Sequence, residues 1–106
     1  AASSDYPLRD VYKRQEVFAV AAEDHYLRVY TSAGEAMILM RLNDAIAELD
    51  GIAGAQTHRS WWVARAAVLS ATRSGGRVNL TLKNGITAPV SRPNVPPLRA
   101  DGWFTP

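Results

Sequence analysis

A segment between two glycine-containing turns, in which apolar and polar side chains alternate strictly, constrains the fold of this 106-residue chain more than any other feature of its sequence. In residues 77–83, every second side chain is apolar and those between are polar or cationic, which is the period of a half-buried β-strand. Residues 74–76 (Ser-Gly-Gly) precede this segment, and Asn84 and Gly85, a strong short hairpin signal, follow it. The C-terminal half is therefore predicted to contain a β-meander.

Three segments of the N-terminal half are also predicted to be strands. Residues 16–22, 25–31 and 36–40 are rich in apolar and β-branched side chains, and short polar loops separate them. We expect these segments to form one antiparallel sheet. Apolar residues spaced by three and four then predict one short helix over about 43–50, with Asn43 as its N-cap. The predicted fold class is mainly β, a small antiparallel β-strand domain with one short helix.

The two ends of the chain lack a clear period, so we expect the folded domain to span residues 16–92. Residues 1–15 resemble translated adapter or cloning sequence and are interpreted as a foreign or disordered lead. Residues 93–106 form a Pro-rich C-terminal tail whose prolines discourage a regular helix, and loose structure is expected there. Pro89 cannot donate a backbone hydrogen bond and is predicted at a sheet edge or a strand end.

Charge is divided unevenly along the chain. Residues 51–100 carry seven basic side chains and no acidic one, whereas residues 1–50 carry five basic and nine acidic ones. The net charge of +2 therefore conceals a C-terminal half with a charge of +7. Such a half suits nucleic acid as a partner, and a merely solvated cationic surface is the alternative.

Composition narrows the class of protein further. A hydrophobic fraction of 47% and a charged fraction of 21% are typical of a globular domain with a packed core. The sequence contains no cysteine, which excludes disulfides and thiolate chemistry and agrees with a reducing cytoplasm. The longest apolar run, residues 17–22, is far shorter than the roughly 20 residues of a membrane-spanning helix. We expect a cytoplasmic domain.

Neither a metal site nor a catalytic site is predicted. His25 and His58 are 33 residues apart, and no ligand-spacing motif joins them. Ser60 lies close to His58 in the sequence, but the nucleophile elbow of a hydrolase is missing. Trp61 and Trp62 are expected to pack in the core. We therefore expect no enzyme activity and no cofactor.

Five segments, taken together and in order, closely resemble the LytTR family. They are Ala-Glu-Asp-His-Tyr-Leu-Arg-Val-Tyr at 22–30, the helical pattern at 42–49, His-Arg-Ser-Trp-Trp-Val at 58–63, Asn-Gly at 84–85 and Pro-Val-Ser-Arg at 89–92. The resemblance covers residues 16–92. It implies the DNA-binding output domain of a bacterial transcription regulator, built mainly of strands. Such domains present loops, and not a recognition helix, to successive major grooves.

The resemblance also implies which residues would contact DNA. They come from three loops, the first with His25 or Tyr26, the second with His58 and Arg59, and the third with Ser91 and Arg92. Arg59 and Arg92 would reach guanine edges or adjacent phosphates, and Ser91 would bind a phosphate. The first loop would add a base or sugar contact.

The same resemblance implies partners. Double-stranded DNA is the expected ligand, and homodimers are expected to form on repeated half-sites, with self-association on DNA alone. A receiver domain or a membrane segment would precede this domain in the full-length protein. The sequence departs from the family after Arg92, where the family usually continues with a short polar or helical stretch and this chain has several prolines.

Two other kinds of binding remain open from the residues alone. A β-rich protein-interaction module could use the basic face together with Trp61, Trp62 and Trp103. A single-stranded nucleic-acid binder could stack bases on Tyr26, Tyr30 and the tryptophans, but those aromatics are expected to alternate into the core.

Overall fold

A computed structural model of the chain describes residues 16–104 and contains eight strands and two short α-helices in that range. In chain order they are β1 (Val17–Glu23), β2 (Tyr26–Thr31), β3 (Gly34–Leu39), α1 (Leu42–Glu48), β4 (Gly54–His58), β5 (Trp61–Ala64), β6 (Val68–Ser74), β7 (Arg77–Leu82), β8 (Thr87–Val90) and α2 (Val95–Ala100). Single 3₁₀ turns occupy Arg65–Ala67 and Arg92–Asn94. The predicted fold class, mainly β, is confirmed, and the predicted lead of residues 1–15 lies outside the described residues.

The larger sheet has five antiparallel strands in the order β3-β2-β1-β5-β4. The predicted antiparallel arrangement of the first three strands is confirmed. Strand β1 is central because its residues are apolar on both sides, and Ala19 and Val20, which face opposite sides, are both fully buried. A core therefore lies on each face of this sheet.

The smaller sheet is the predicted β-meander, in the order β6-β7-β8. Burial alternates along β7, with Val78, Leu80 and Leu82 buried and the residues between them partly or fully exposed. The turn that contains Asn84 and Gly85 connects β7 to β8, and Gly85 has a φ of 83°, which favours glycine. Both hairpin predictions are confirmed.

Two apolar cores enclose the five-stranded sheet. On one face, side chains of β1, β2 and β5 pack against α1; this core includes Val20, Leu27, Val29, Leu42, Leu49 and Trp62. On the other face, the smaller sheet and α2 cover β1 and β5; this core includes Ala19, Val63, Leu80, Leu82, Leu98 and Trp103. This packing on both faces fixes the five-stranded sheet relative to the smaller sheet and to both helices, and therefore fixes the loops at its strand ends.

The predicted N-cap of the first helix was wrong. Helix α1 begins at Leu42, its N-cap is Arg41 with extended backbone, and no side chain caps it, so Asn43 lies inside the first turn. Leu42 is buried against the sheet, and this packing places it in the helix. Asp44 lies in the first turn, where the helix dipole favours a negative charge.

The prediction of a single helix and a loosely structured tail was also wrong. Helix α2 spans Val95–Ala100, and Leu98 and Trp103 are buried in the second core. Pro96 and Pro97 occupy the first turn of α2, where backbone N–H groups have no partner within the helix, so these prolines cost no hydrogen bond. The apolar residues that follow them then anchor the helix to the sheet.

Candidate nucleic-acid interface

Two of the predicted loops lie side by side at one end of the five-stranded sheet. The β1–β2 turn carries Asp24 and His25, and the β4–β5 turn carries Arg59 and Ser60. Because β1 pairs with β5, the backbone N–H of Ala22 donates to Ser60 O at 2.8 Å. His25 and Arg59 are both exposed at this end.

A hydrogen bond orients the His58 ring. The backbone N–H of Ser60 donates to His58 Nδ1 at 3.1 Å, so Nδ1 is occupied as an acceptor. His58 is half-buried, and its Nε2–H is the donor left for a ligand such as a phosphate or a base edge.

The third predicted loop is bound to the second through the backbone of Thr57. Thr57 O accepts the backbone N–H of Ser91 at 2.9 Å and the Nδ2 amide of Asn94 at 3.0 Å. Asn94 Nδ2 also donates to Ser91 Oγ at 2.7 Å, and the Thr57 hydroxyl donates to Pro89 O at 2.9 Å. The segment that carries the exposed Arg92 is thus fixed beside β4.

These bonds bring part of the predicted site together. His58, Ser91 and Arg92 line one concavity of about 470 Å³ with Arg77 and Asn79 of β7. Among the residues that the structure describes, no acidic side chain lines it. This arrangement joins the second and third loops into one cationic surface.

The first loop belongs to a different surface. His25 lines a concavity of about 540 Å³ that also contains Asp24, Arg41 and Asp44. Tyr26, at the start of β2, is 48% exposed and pairs with Leu39 of β3. The two carboxylates make this surface less favourable to phosphate than the cationic one.

The sequence-based prediction of the site did not include Arg77 and Asn79. Their outward position on β7 follows from the alternation alone, but their place beside Ser91 depends on the register of the β-meander. Asn79 pairs with Pro89, and Val78 with Val90, which sets the start of β7 next to the end of β8. The turn at residues 84–85 is the signal that could have identified Arg77 and Asn79, because strand pairing counted outward from it places them beside residues 89–91.

Ion pairs separate the cations into two groups. Arg28 binds Glu23 and also Glu35, the latter at 3.2 Å, and Lys83 binds Glu16 at 3.5 Å. The hydrogen bond from Arg28 lowers the pKa of Glu23 and raises that of Arg28. Within residues 16–104, six arginines of the C-terminal half have no ion pair: Arg59, Arg65, Arg73, Arg77, Arg92 and Arg99.

Arg65 has a structural role. Its guanidinium donates to Asp101 O at 3.0 Å and to Gly102 O at 2.8 Å, and it lies 5.3 Å from the centroid of the Trp103 ring. These contacts fasten the C-terminal segment to the end of β5. Arg65 is therefore not available to a ligand in the way that the other five arginines without an ion pair are.

Burial removes most aromatic side chains from a binding surface. Trp62 is 3% exposed and Trp103 is 9% exposed. Trp61 stacks on Tyr30, with ring centroids 5.9 Å apart, and partial burial raises the pKa of the Tyr30 phenol. The expectation that aromatics pack inward is confirmed for Trp62 and wrong for Tyr26. Burial of the tryptophans leaves few rings for base stacking or for contact with a protein partner.

Within residues 16–104, no cluster of three or more His, Asp or Glu side chains could hold a metal ion. None of the helices in this range has the length and apolar character needed to cross a membrane.

Comparison with known families decides the assignment. The family model described as the LytTr DNA-binding domain matches residues 11–102. The chain belongs to the LytTR family of DNA-binding domains. The match extends beyond residues 16–92 at both ends and includes helix α2.

A solved structure has the same fold as this LytTR domain. It is the LytTr DNA-binding domain of a protein described as a methyl-accepting/DNA response regulator from Bacillus cereus. The two share 20% sequence identity with a TM-score of 0.70, over 80% of this chain and 79% of the other. A comparison with curated proteins gives no match.

Proposed function

We propose that this LytTR domain binds double-stranded DNA sequence-specifically, as the output domain of a bacterial transcription regulator. The observation that carries the proposal is the concavity in which His58, Arg77 and Arg92 meet without an acidic neighbour. Unpaired arginines beside exposed loops suit the phosphates and the guanine edges of a duplex. The structurally similar LytTr domain from Bacillus cereus is part of a protein described as a response regulator, which supports the same role for this domain.

The three loops would enter the major groove. Arg59 and Arg92 are exposed at the tips and would reach guanine edges or adjacent phosphates. His58 would donate through Nε2–H, and the first loop, through His25 or Tyr26, would add a base or sugar contact.

Ser91 would bind a phosphate only by redirecting its hydroxyl. Its Oγ already accepts from Asn94, and its own donor bond to Thr57 O is long, at 3.5 Å. A nearby phosphate oxygen is a stronger acceptor for that proton than a carbonyl at this distance. The hydroxyl would then contact DNA while the Asn94 bond continues to hold the loop.

The wider setting belongs to the same proposal. Homodimers would assemble on repeated half-sites, and an upstream receiver domain or a membrane segment would supply the signal to a domain that works in the cytoplasm.

A selection experiment tests the proposal. The 106-residue chain is incubated with a pool of random duplexes, and the retained duplexes are sequenced, with Arg59→Ala and Arg92→Ala in parallel. Lys83→Ala is the matched control, because Lys83 pairs with Glu16 and lies at the opposite end of β7.

We expect a repeated motif to be enriched. Each arginine variant should lose about 1–3 kcal/mol of binding free energy and relax the preference at one position of the motif. The control should retain both. Retention that is independent of sequence, or absent even at low salt, would refute sequence-specific DNA binding and favour the protein-interaction module.

A further inference from the structure

A second cationic concavity, which we name the arginine cleft, lies beside the first. It has a volume of about 350 Å³, and three of its lining residues are Arg73, Arg92 and Arg99. The others are Gly76, Val78 and Val95, so none of the lining residues in the described part of the chain is acidic. Three positive charges therefore face one small volume with apolar walls.

Three separate elements bring these arginines together. Arg73 lies at the end of β6 opposite Val78, Arg92 begins the turn after β8, and Arg99 lies in the last turn of α2. The buried side chain of Leu98 fixes α2 against the smaller sheet. The cleft is thus set by the packed core and not by loops alone.

The protein supplies no anionic partner for the cleft within residues 16–104. The ion pairs there use other cations, Arg28 and Lys83. The Nε of Arg99 is shielded from solvent and has no hydrogen-bond partner in this part of the chain. A buried donor without an acceptor costs free energy, so the Arg99 side chain is not fully satisfied by the protein. An anion with several acceptor oxygens is the class of ligand that suits three guanidinium groups around one small volume.

Arg92 connects the cleft to the proposed DNA site. It lines both the arginine cleft and the concavity that contains His58 and Arg77. Val78 lines both as well, so two side chains lie between a ligand in one concavity and a ligand in the other. A continuous polyanion that passes over Arg92 would reach both.

We propose that the arginine cleft binds a backbone phosphate of DNA adjacent to the bases that Arg59 and Arg92 contact. The proposal rests on the proposed function and adds to it a contact that carries affinity without sequence preference. Arg73 and Arg99 line the cleft but not the concavity that contains His58 and Arg77.

The test is the salt dependence of binding for Arg73→Ala, for Arg99→Ala and for the double variant. Each is titrated with the selected duplex and with an unrelated duplex at salt concentrations between 50 and 200 mM. Lys83→Ala is the control for loss of a distant cation, and Arg99→Lys tests whether a point charge is sufficient. Far-UV circular dichroism and urea unfolding verify that every variant is folded.

Each single variant should bind both duplexes more weakly by the same factor. The slope of log K against log salt should become less steep by roughly 1 for each lost contact, and by roughly 2 in the double variant. The advantage of the wild type over each single variant should then shrink about 3.5-fold between 50 and 200 mM salt. Arg99→Lys should keep the wild-type slope, and Lys83→Ala should change nothing.

Two results would overturn the cleft as a phosphate site. One is an unchanged slope in folded Arg73→Ala and Arg99→Ala variants. The other is a loss confined to the selected duplex, which would indicate a base contact. Failure of the proposed function would give a different result, namely wild-type protein that binds the selected and the unrelated duplex equally well. In that case the salt slopes of the variants and the wild type on the unrelated duplex still test the cleft as a phosphate site.

Discussion

Thr57→Val should destabilise the fold strongly, although the two side chains have nearly the same shape. Thr57 is fully buried, and its hydroxyl donates to Pro89 O at 2.9 Å between the two sheets. Strands β4 and β8 belong to different sheets, and the hydroxyl bonds the carbonyl across the junction between them. Valine would leave that partly buried carbonyl without this donor.

The expected cost is about 1–3 kcal/mol, the penalty for an unsatisfied buried acceptor. For a domain of this size, a loss of about 2 kcal/mol lowers Tm by roughly 8–16 °C. Urea unfolding of the 106-residue chain, followed by tryptophan fluorescence, measures the free energy of unfolding directly. The m-value should not change, because the substitution alters no exposed surface.

Thr87→Val is the matched control for this substitution. Thr87 lies on β8, two residues before Pro89, but its side chain is exposed. Its free energy of unfolding should remain within about 0.5 kcal/mol of the wild type. If Thr57→Val costs no more than this control, the hydroxyl bond does not stabilise the junction between the sheets, and the reasoning is refuted.

Three further substitutions test other parts of the structure. Asn94→Ala removes the side-chain amide that ties the β8–α2 segment to β4, and should lower the free energy of unfolding by about 1 kcal/mol and weaken duplex binding; unchanged binding would contradict a role in holding the loop. Gly54→Ala should cost about 1–3 kcal/mol in urea unfolding, because a methyl group there would collide with the Trp62 indole and with the backbone oxygen of Val63, and a neutral result would contradict this close packing. Arg28→Ala should raise the pKa of Glu23 towards its ordinary value in an NMR titration. Since the folded-state pKa of Glu23 is lowered, the ionised carboxylate stabilises the fold above its ordinary pKa, and this stabilisation is lost as pH falls through the lowered pKa. The pH dependence of stability that Glu23 causes should disappear in Arg28→Ala. If it persists, Arg28 is not the cause of the lowered pKa.

The sequence predicted the β-meander well because its signals are local. Alternation in β7 and the turn at Asn84 and Gly85 are each specified within a few residues, and no distant contact can reverse them. The edge position of Pro89 follows from the chemistry of one residue, and β8 is indeed an edge strand of the smaller sheet.

Helix α2 was missed for a physical reason. The prediction of a loosely structured tail rests on prolines that discourage a regular helix, whereas in the first turn, where Pro96 and Pro97 lie, a missing N–H has no consequence. The burial of Leu98 and Trp103, which holds the helix in place, depends on contacts with strands that are distant in the sequence. No pattern within residues 93–106 shows those contacts.

The site was predictable in part. The loops that carry Arg59 and Arg92 came from a resemblance in sequence, and the structure brings the second and third loops together. The bond from Asn94 to Thr57 O spans 37 positions of the chain, so its effect on Ser91 could not be seen in the sequence. The same is true of Arg77, whose neighbour is set by strand register.

An NMR titration tests the central claim most directly, namely that DNA binds at the end of the molecule where the loops meet. The ¹⁵N-labelled 106-residue chain is titrated with the selected duplex, and backbone amide shifts are followed. DNA bound there should cause the largest shifts in the turns at residues 24–26, 58–60 and 74–77 and in the segment 91–94, with little change in the turns at 32–33 and 83–86. Shifts concentrated in the latter turns, or spread evenly over the surface, would contradict it.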